Sequence, residues 1–117
     1  MAIPSGTGTE VLKNLLTLAT DATEHKVIDG IALHIYTLLS ITFCETGNAA
    51  ETFSLFIADD AGSNDCYLLK DQALAAKETF VWNDRIVLVG TDELTVVCSN
   101  PCAISIATSY IDQNWED

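Results

Sequence analysis

The chain has 117 residues, 49% of them hydrophobic, and its five Lys and Arg against 17 Asp and Glu give a formal net charge of −12. That length supports one domain with one core. The acidity excludes a phosphate-binding module, which needs a basic face to displace counterions, and no apolar stretch approaches a bilayer span, so neither nucleic acid nor membrane is expected as a partner.

Residues 1–9 hold two Gly, a Pro, two Thr and a Ser, and read as an N-terminal arm without a core of its own. They carry neither the basic nor the apolar region of a secretory signal, which points to synthesis in the cytoplasm. The segment 11–19 fits helical spacing through Val11, Leu12, Leu15, Leu16 and Ala19, and one strand face through Leu12, Leu16 and Leu18. Among so many strands a strand is favoured. A short strand at 25–28 ends at Asp29-Gly30, a strong turn pair.

The longest strand is expected over 33–44. Ile35, Leu39, Ile41 and Phe43 lie on one face of a pleat and point inward. The other face holds His34, Tyr36, Leu38, Ser40, Thr42 and Cys44, neither fully polar nor fully apolar, and reads as a contact surface in which Tyr36 and Leu38 are the candidates. Next comes a strand at 51–58 with Phe53, Leu55 and Ile57 inward and Thr52, Ser54 and Phe56 outward. The clearest loop is 59–65, followed by a strand at 66–69. Residues 72–77 suit either one helical turn or an extended connection. Strands at 79–82, 85–89, 94–98 and 103–111 complete the pattern, the last with Ile104, Ile106 and Tyr110 on one face. The expectation is an all-β domain over 10–111, an antiparallel β-sandwich of about eight strands for which a jelly roll is one arrangement. A C-terminal tail would occupy 112–117. Trp115 stands so late that it must fold back or anchor in a neighbour.

No reactive constellation accompanies these strands. His25 and His34 with Asp21 or Asp29 fall on an ordinary pattern, and no Ser or Cys sits in a nucleophile elbow. The carboxylate pairs Asp59-Asp60, Asp92-Glu93 and Glu116-Asp117 lie in turns or at the chain end, not on opposed walls of a cleft. The chain is read as a non-enzyme with no catalytic residue and no cofactor. Asp59, Asp60 and Asp65 lack the EF-hand order, so a solvated loop is expected there rather than a calcium site, and no metal is assigned. Four cysteines read as reduced small hydrophobes in a protein made in the cytoplasm, with a Cys98–Cys102 bridge across a hairpin as the alternative. Trp82 is the best candidate for stacking on a sugar, although core packing or an oligomer contact is the commoner role for such a ring.

Three stretches, HIYTLLSITF at 34–43, ETFSLFI at 51–57 and SYIDQNW at 109–115, resemble the small β-sandwich virion proteins of tailed bacteriophages. The resemblance lies in strand pattern and closing phrase, and covers most of the chain after Leu33. It implies a non-enzymatic, virion-located subunit present in symmetric copies, first of all a capsid decoration (cement) protein that binds the phage major capsid protein. Such proteins are often trimeric, with an N-terminal arm on the shell. A neck, tail or fibre-attachment component is the alternative, and a carbohydrate-binding module is a further one. Ile3 and Pro4 in the arm, with Trp82 and Trp115, complete the candidate interface.

Overall fold

The computed structural model describes residues 9–59, 64–99 and 101–114. These form nine strands: β1 (Thr9–Ala19), β2 (His25–Asp29), β3 (His34–Glu45), β4 (Glu51–Ala58), β5 (Asp65–Leu74), β6 (Thr79–Trp82), β7 (Ile86–Val89), β8 (Glu93–Cys98) and β9 (Ile104–Asn114). One sheet has the order β1-β9-β3-β6, with β7 also on β3, and the other has the order β2-β8-β4-β5. All pairings are antiparallel.

The pairing is nested. The first strand pairs with the last, β2 with β8, β3 with β6 and β7, and β4 with β5. The chain is therefore one long hairpin rolled up, with successive strands of each arm passing between the two sheets. This lets each sheet bury one face against the other and expose its opposite face.

The core lies between the sheets. Phe43 and Phe53 stack across it at 4.2 Å between ring centroids, and Phe80 closes on both at 6.3 and 5.8 Å. Leu38, Ile41, Leu55, Leu88, Leu94 and Ile104 fill the rest. Truncating Phe43 to Ala would cost about 3–5 kcal/mol.

Local irregularities decide which side chains reach this core. β3 carries a register shift against β9 between Leu38 and Ser40. An extra residue at Leu39 moves the inward set from even positions before it, Tyr36 and Leu38, to odd positions after it, Ile41 and Phe43. Ile41 and Phe43 therefore point inward as expected, but so do Tyr36 and Leu38, 3% and 0% exposed. The expected contact surface through Tyr36 and Leu38 is corrected: both are core, and Ile35 lies half-buried on the outer side. β4 also shifts around Leu55, yet Phe56 keeps its expected outward side, outside the core cluster, where Tyr67 covers it at 4.9 Å.

β5 continues past its expected end to Leu74, over Asp71 at φ 49°, whose N–H donates to Ser54 Oγ at 3.0 Å. A tight turn with Lys77 at φ 61° follows in place of a helical turn. Gly30 is required at its turn, because a Cβ there would collide with the carbonyl oxygens of Gly90 and Asp92. None of the described residues is helical.

Candidate interaction surface

β1 is an edge strand, and the leucines that suited one strand face occupy its outer side. Their registers with β9 are Leu12 to Ile111, Leu16 to Ala107 and Leu18 to Ser105. Leu12, Leu16 and Leu18 are 77%, 71% and 68% exposed. β9 and β3 continue the surface with small side chains, Ala107 beside Thr42 and Ser105 beside Cys44. Val81, Val87 and Val89 end it on β6 and β7, all exposed. Among the described strand positions on this face the one charged residue is Glu10, at its end, where its Oε1 accepts from Gln113 Nε2 at 2.9 Å. A shallow depression of about 460 Å³ runs along the leucines, lined by Leu16, Leu18, Thr42, Cys44, Ser105 and Ala107 among others.

The outer face of the second sheet is of the opposite kind. Lys26 on β2 pairs with Glu93 on β8 at 2.8 Å. Lys70 lies 4.3 Å over the Tyr67 ring, and Glu24, Asp65 and Asp71 border the same surface. One sheet thus presents ordinary solvated charge, and the other a broad uncharged, largely apolar face. Its exposed leucines on β1 and valines on β6 and β7 form two apolar strips separated by small and polar side chains such as Ser109, Thr42 and Ser105. Clustered exposed apolar side chains of this kind mark a candidate interaction site.

Beneath the leucine edge, Asp112 ties three strands. Its carboxylate accepts from Lys13 Nζ of β1 at 2.7 Å and faces His34 Nδ1 of β3 at 2.7 Å. Burial pushes the Asp112 carboxyl up, but the Lys13 and His34 hydrogen bonds outweigh it and hold the group below its ordinary value. The Asp112 hydrogen bond raises the Lys13 ammonium in turn. β9 therefore runs on through 112–114, so part of the expected C-terminal tail belongs to the sheet.

At the far end of β3, buried Glu45 organises the turns. Its Oε1 accepts from the N–H of Asn48 (2.8 Å) and Lys77 (3.1 Å), and its Oε2 from Gly47 (2.9 Å). Glu51 is its second partner. The Glu51 hydrogen bond and then these backbone donors, against opposing burial, bring Glu45 down to about 2. Burial and the adjacent Glu45 push Glu51 up. Glu51 Oε1 accepts from Ala103 N–H at 2.7 Å, while Oε2 is buried without another partner. A proton retained on Glu51 would let it donate to Glu45, consistent with one acid being lowered and the other raised. The pair is a structural clasp, and a sequence signal existed only as two glutamates flanking a Gly-Asn turn.

Trp82 faces Ile41 in the sheet register, packs partly buried against the core, and donates its indole N–H to the Asp84 carbonyl at 3.1 Å. Ile3, Pro4 and Trp115 lie outside the described residues, as does much of the acidic loop, at 60–63. Cys98 and Cys102 are bridged, the alternative to four reduced thiols, while Cys44 is half-buried and Cys66 exposed, both free. Among the described residues no group of three or more His, Cys, Asp or Glu side chains is placed to hold a metal ion. Among the described residues His25 pairs with Asp21, and His34 with Asp112 and, by ring stacking at 5.8 Å, with Tyr36.

No protein-family model matches the chain, and no curated protein matches it. Solved structures do share its fold. A chain of the T13 particle of IBDV superposes with a TM-score of 0.59 at 8% identity, over 95% of this chain and 32% of that one. A mutant VP2 protein of infectious bursal disease virus, in T=1 particles, gives 0.51 at 6%, with the same coverage. A protein of the disulfide-linked pili that form Bacillus endospore appendages gives 0.50 at 15%, over 100% of this chain and 97% of that one. The chain thus spans about a third of the capsid proteins that it resembles in fold, and nearly the whole of the appendage protein.

Proposed function

We propose that the protein is a non-enzymatic structural subunit of a multi-copy protein assembly, and most specifically a virion protein that decorates a capsid shell. The observation that carries this reading is the uncharged outer face of the β1-β9-β3 sheet. In a chain of charge −12, the described strand positions of this face hold a single carboxylate, at its rim. Facing water alone, the face would expose leucines and valines for no return; against a protein surface it removes them from solvent. Fold likeness to capsid proteins and the nested antiparallel sandwich, a pairing that a jelly roll would also have, support a virion role. A decoration protein would use this face or its arm, including Ile3 and Pro4, on the major capsid protein.

A second reading is supported by size. The appendage protein matches this chain end to end, whereas the capsid proteins are about three times longer. A fibre subunit therefore stands beside the decoration protein as the alternative. Electron micrographs of the purified full-length protein, alone and mixed with empty capsid shells, separate the two. Saturable shells bearing added density support decoration, and fibres formed by the protein alone support the appendage reading. A protein that neither assembles nor binds would overturn both.

A further inference from the structure

We infer that the outer face of the β1-β9-β3 sheet binds the same face of a second copy of this chain, about a two-fold axis. This deepens the structural-subunit reading and rests on it. Three observations select a second copy as the occupant. First, charge: two chains of −12 repel over most of their surfaces, and this is the sheet face on which they can meet without opposing carboxylates. The other sheet's outer face, bordered by Glu24, Asp65 and Asp71, would oppose like charges.

Second, relief. Leu12, Leu16 and Leu18 form a ridge along the edge strand, and the small residues Ala107, Ser105 and Thr42 form a trough beside it. A two-fold operation brings each copy's ridge over the other's trough, the self-complementary geometry of an isologous interface. A flat partner surface would leave the 460 Å³ depression empty. Third, area. Four strands, the longest of 11–12 residues, at about 3.4 Å per residue and about 4.8 Å between strands, cover roughly 700 Å². That is close to the roughly 800 Å² per partner of a stable interface. Sheets packed this way lie about 10 Å apart, giving a four-layer sandwich.

The test is the solution mass of the full-length protein, by light scattering coupled to chromatography, for wild type, Leu16→Glu and Thr52→Glu. Leu16 is 71% exposed, so a charge there leaves the core intact, which an unchanged melting temperature in dilute solution verifies. Thr52 is exposed on the second sheet and serves as the control. Wild type and Thr52→Glu are expected to contain paired copies, and Leu16→Glu to dissociate with a Kd at least about tenfold weaker. If wild type associates but Leu16→Glu associates equally well, this face is not the contact, although the structural role stands. If wild type is monomeric yet binds shells through Leu16, the face belongs to another partner and the second-copy proposal falls. Failure to associate or to bind anything would remove both readings.

Discussion

At the scale of single residues, the clearest chemistry is carried by two buried acids that work in opposite directions. Glu45 is held at about 2 in the folded protein against an ordinary 4.5. Its contribution is full above the ordinary value and is lost as pH falls from about 4.5 toward 2. Asp112, also held below its ordinary value, adds to the same loss at the acid end. Glu51 is raised, so its contribution is full below about 4.5 and declines as pH rises through its folded value. A melting-temperature profile is therefore expected to fall on acidification below pH 4.5. Glu45→Gln should lower the melting temperature at pH 7 and flatten that fall. Glu51→Gln should leave it unchanged or raise it at pH 8, because the amide can accept from Ala103 and donate to Glu45 without a proton to lose. Equal losses for the two variants at pH 8 would show that the proton does not sit on Glu51.

At the scale of elements, the edge strand β1 has its backbone ladder to β9 and Ala19 in the core. Among the described residues its side-chain hydrogen bonds are Lys13–Asp112 on the inner side and Glu10–Gln113 on the outer. Asp112→Asn keeps the size of the side chain and removes its charge. The expected cost is about 1–2 kcal/mol, modest because Lys13 is partly exposed. Amide exchange should accelerate in β1 before the strands of the core. Uniform exchange across both sheets would show that Asp112 does not secure the edge. The strands themselves were legible in the sequence because period-2 alternation and Gly, Asn or Asp turns mark them directly. Bulges were not legible. One extra residue at Leu39 leaves the composition of β3 unchanged yet exchanges its faces, so Tyr36 and Leu38 looked external while lying in the core. Leu12, Leu16 and Leu18 were visible as one strand face, but which side of the sheet they took depended on the pairing of β1 with β9, a contact about 90 residues away in sequence.

At the scale of the whole molecule, a rolled hairpin gives two sheets of unlike exterior, one charged and one not. The acidity and the sandwich could be read from composition and spacing; the asymmetry between the exteriors required the fold. The same asymmetry makes association strengthen with salt, since added ions screen repulsion between two −12 chains while leaving the apolar contact in place. Raising sodium chloride from about 0.05 to 0.5 M is expected to raise the associated fraction, whereas an interface built on ion pairs would weaken.

The most direct measurement is the solution mass of the full-length wild-type chain at about 0.15 M salt, the range where exposed charges are screened beyond about 8 Å. A structural subunit with a self-complementary sheet face should show a multiple of the single-chain mass at micromolar concentration. A single-chain mass across the whole concentration range, with no gain on adding capsid shells, would contradict it.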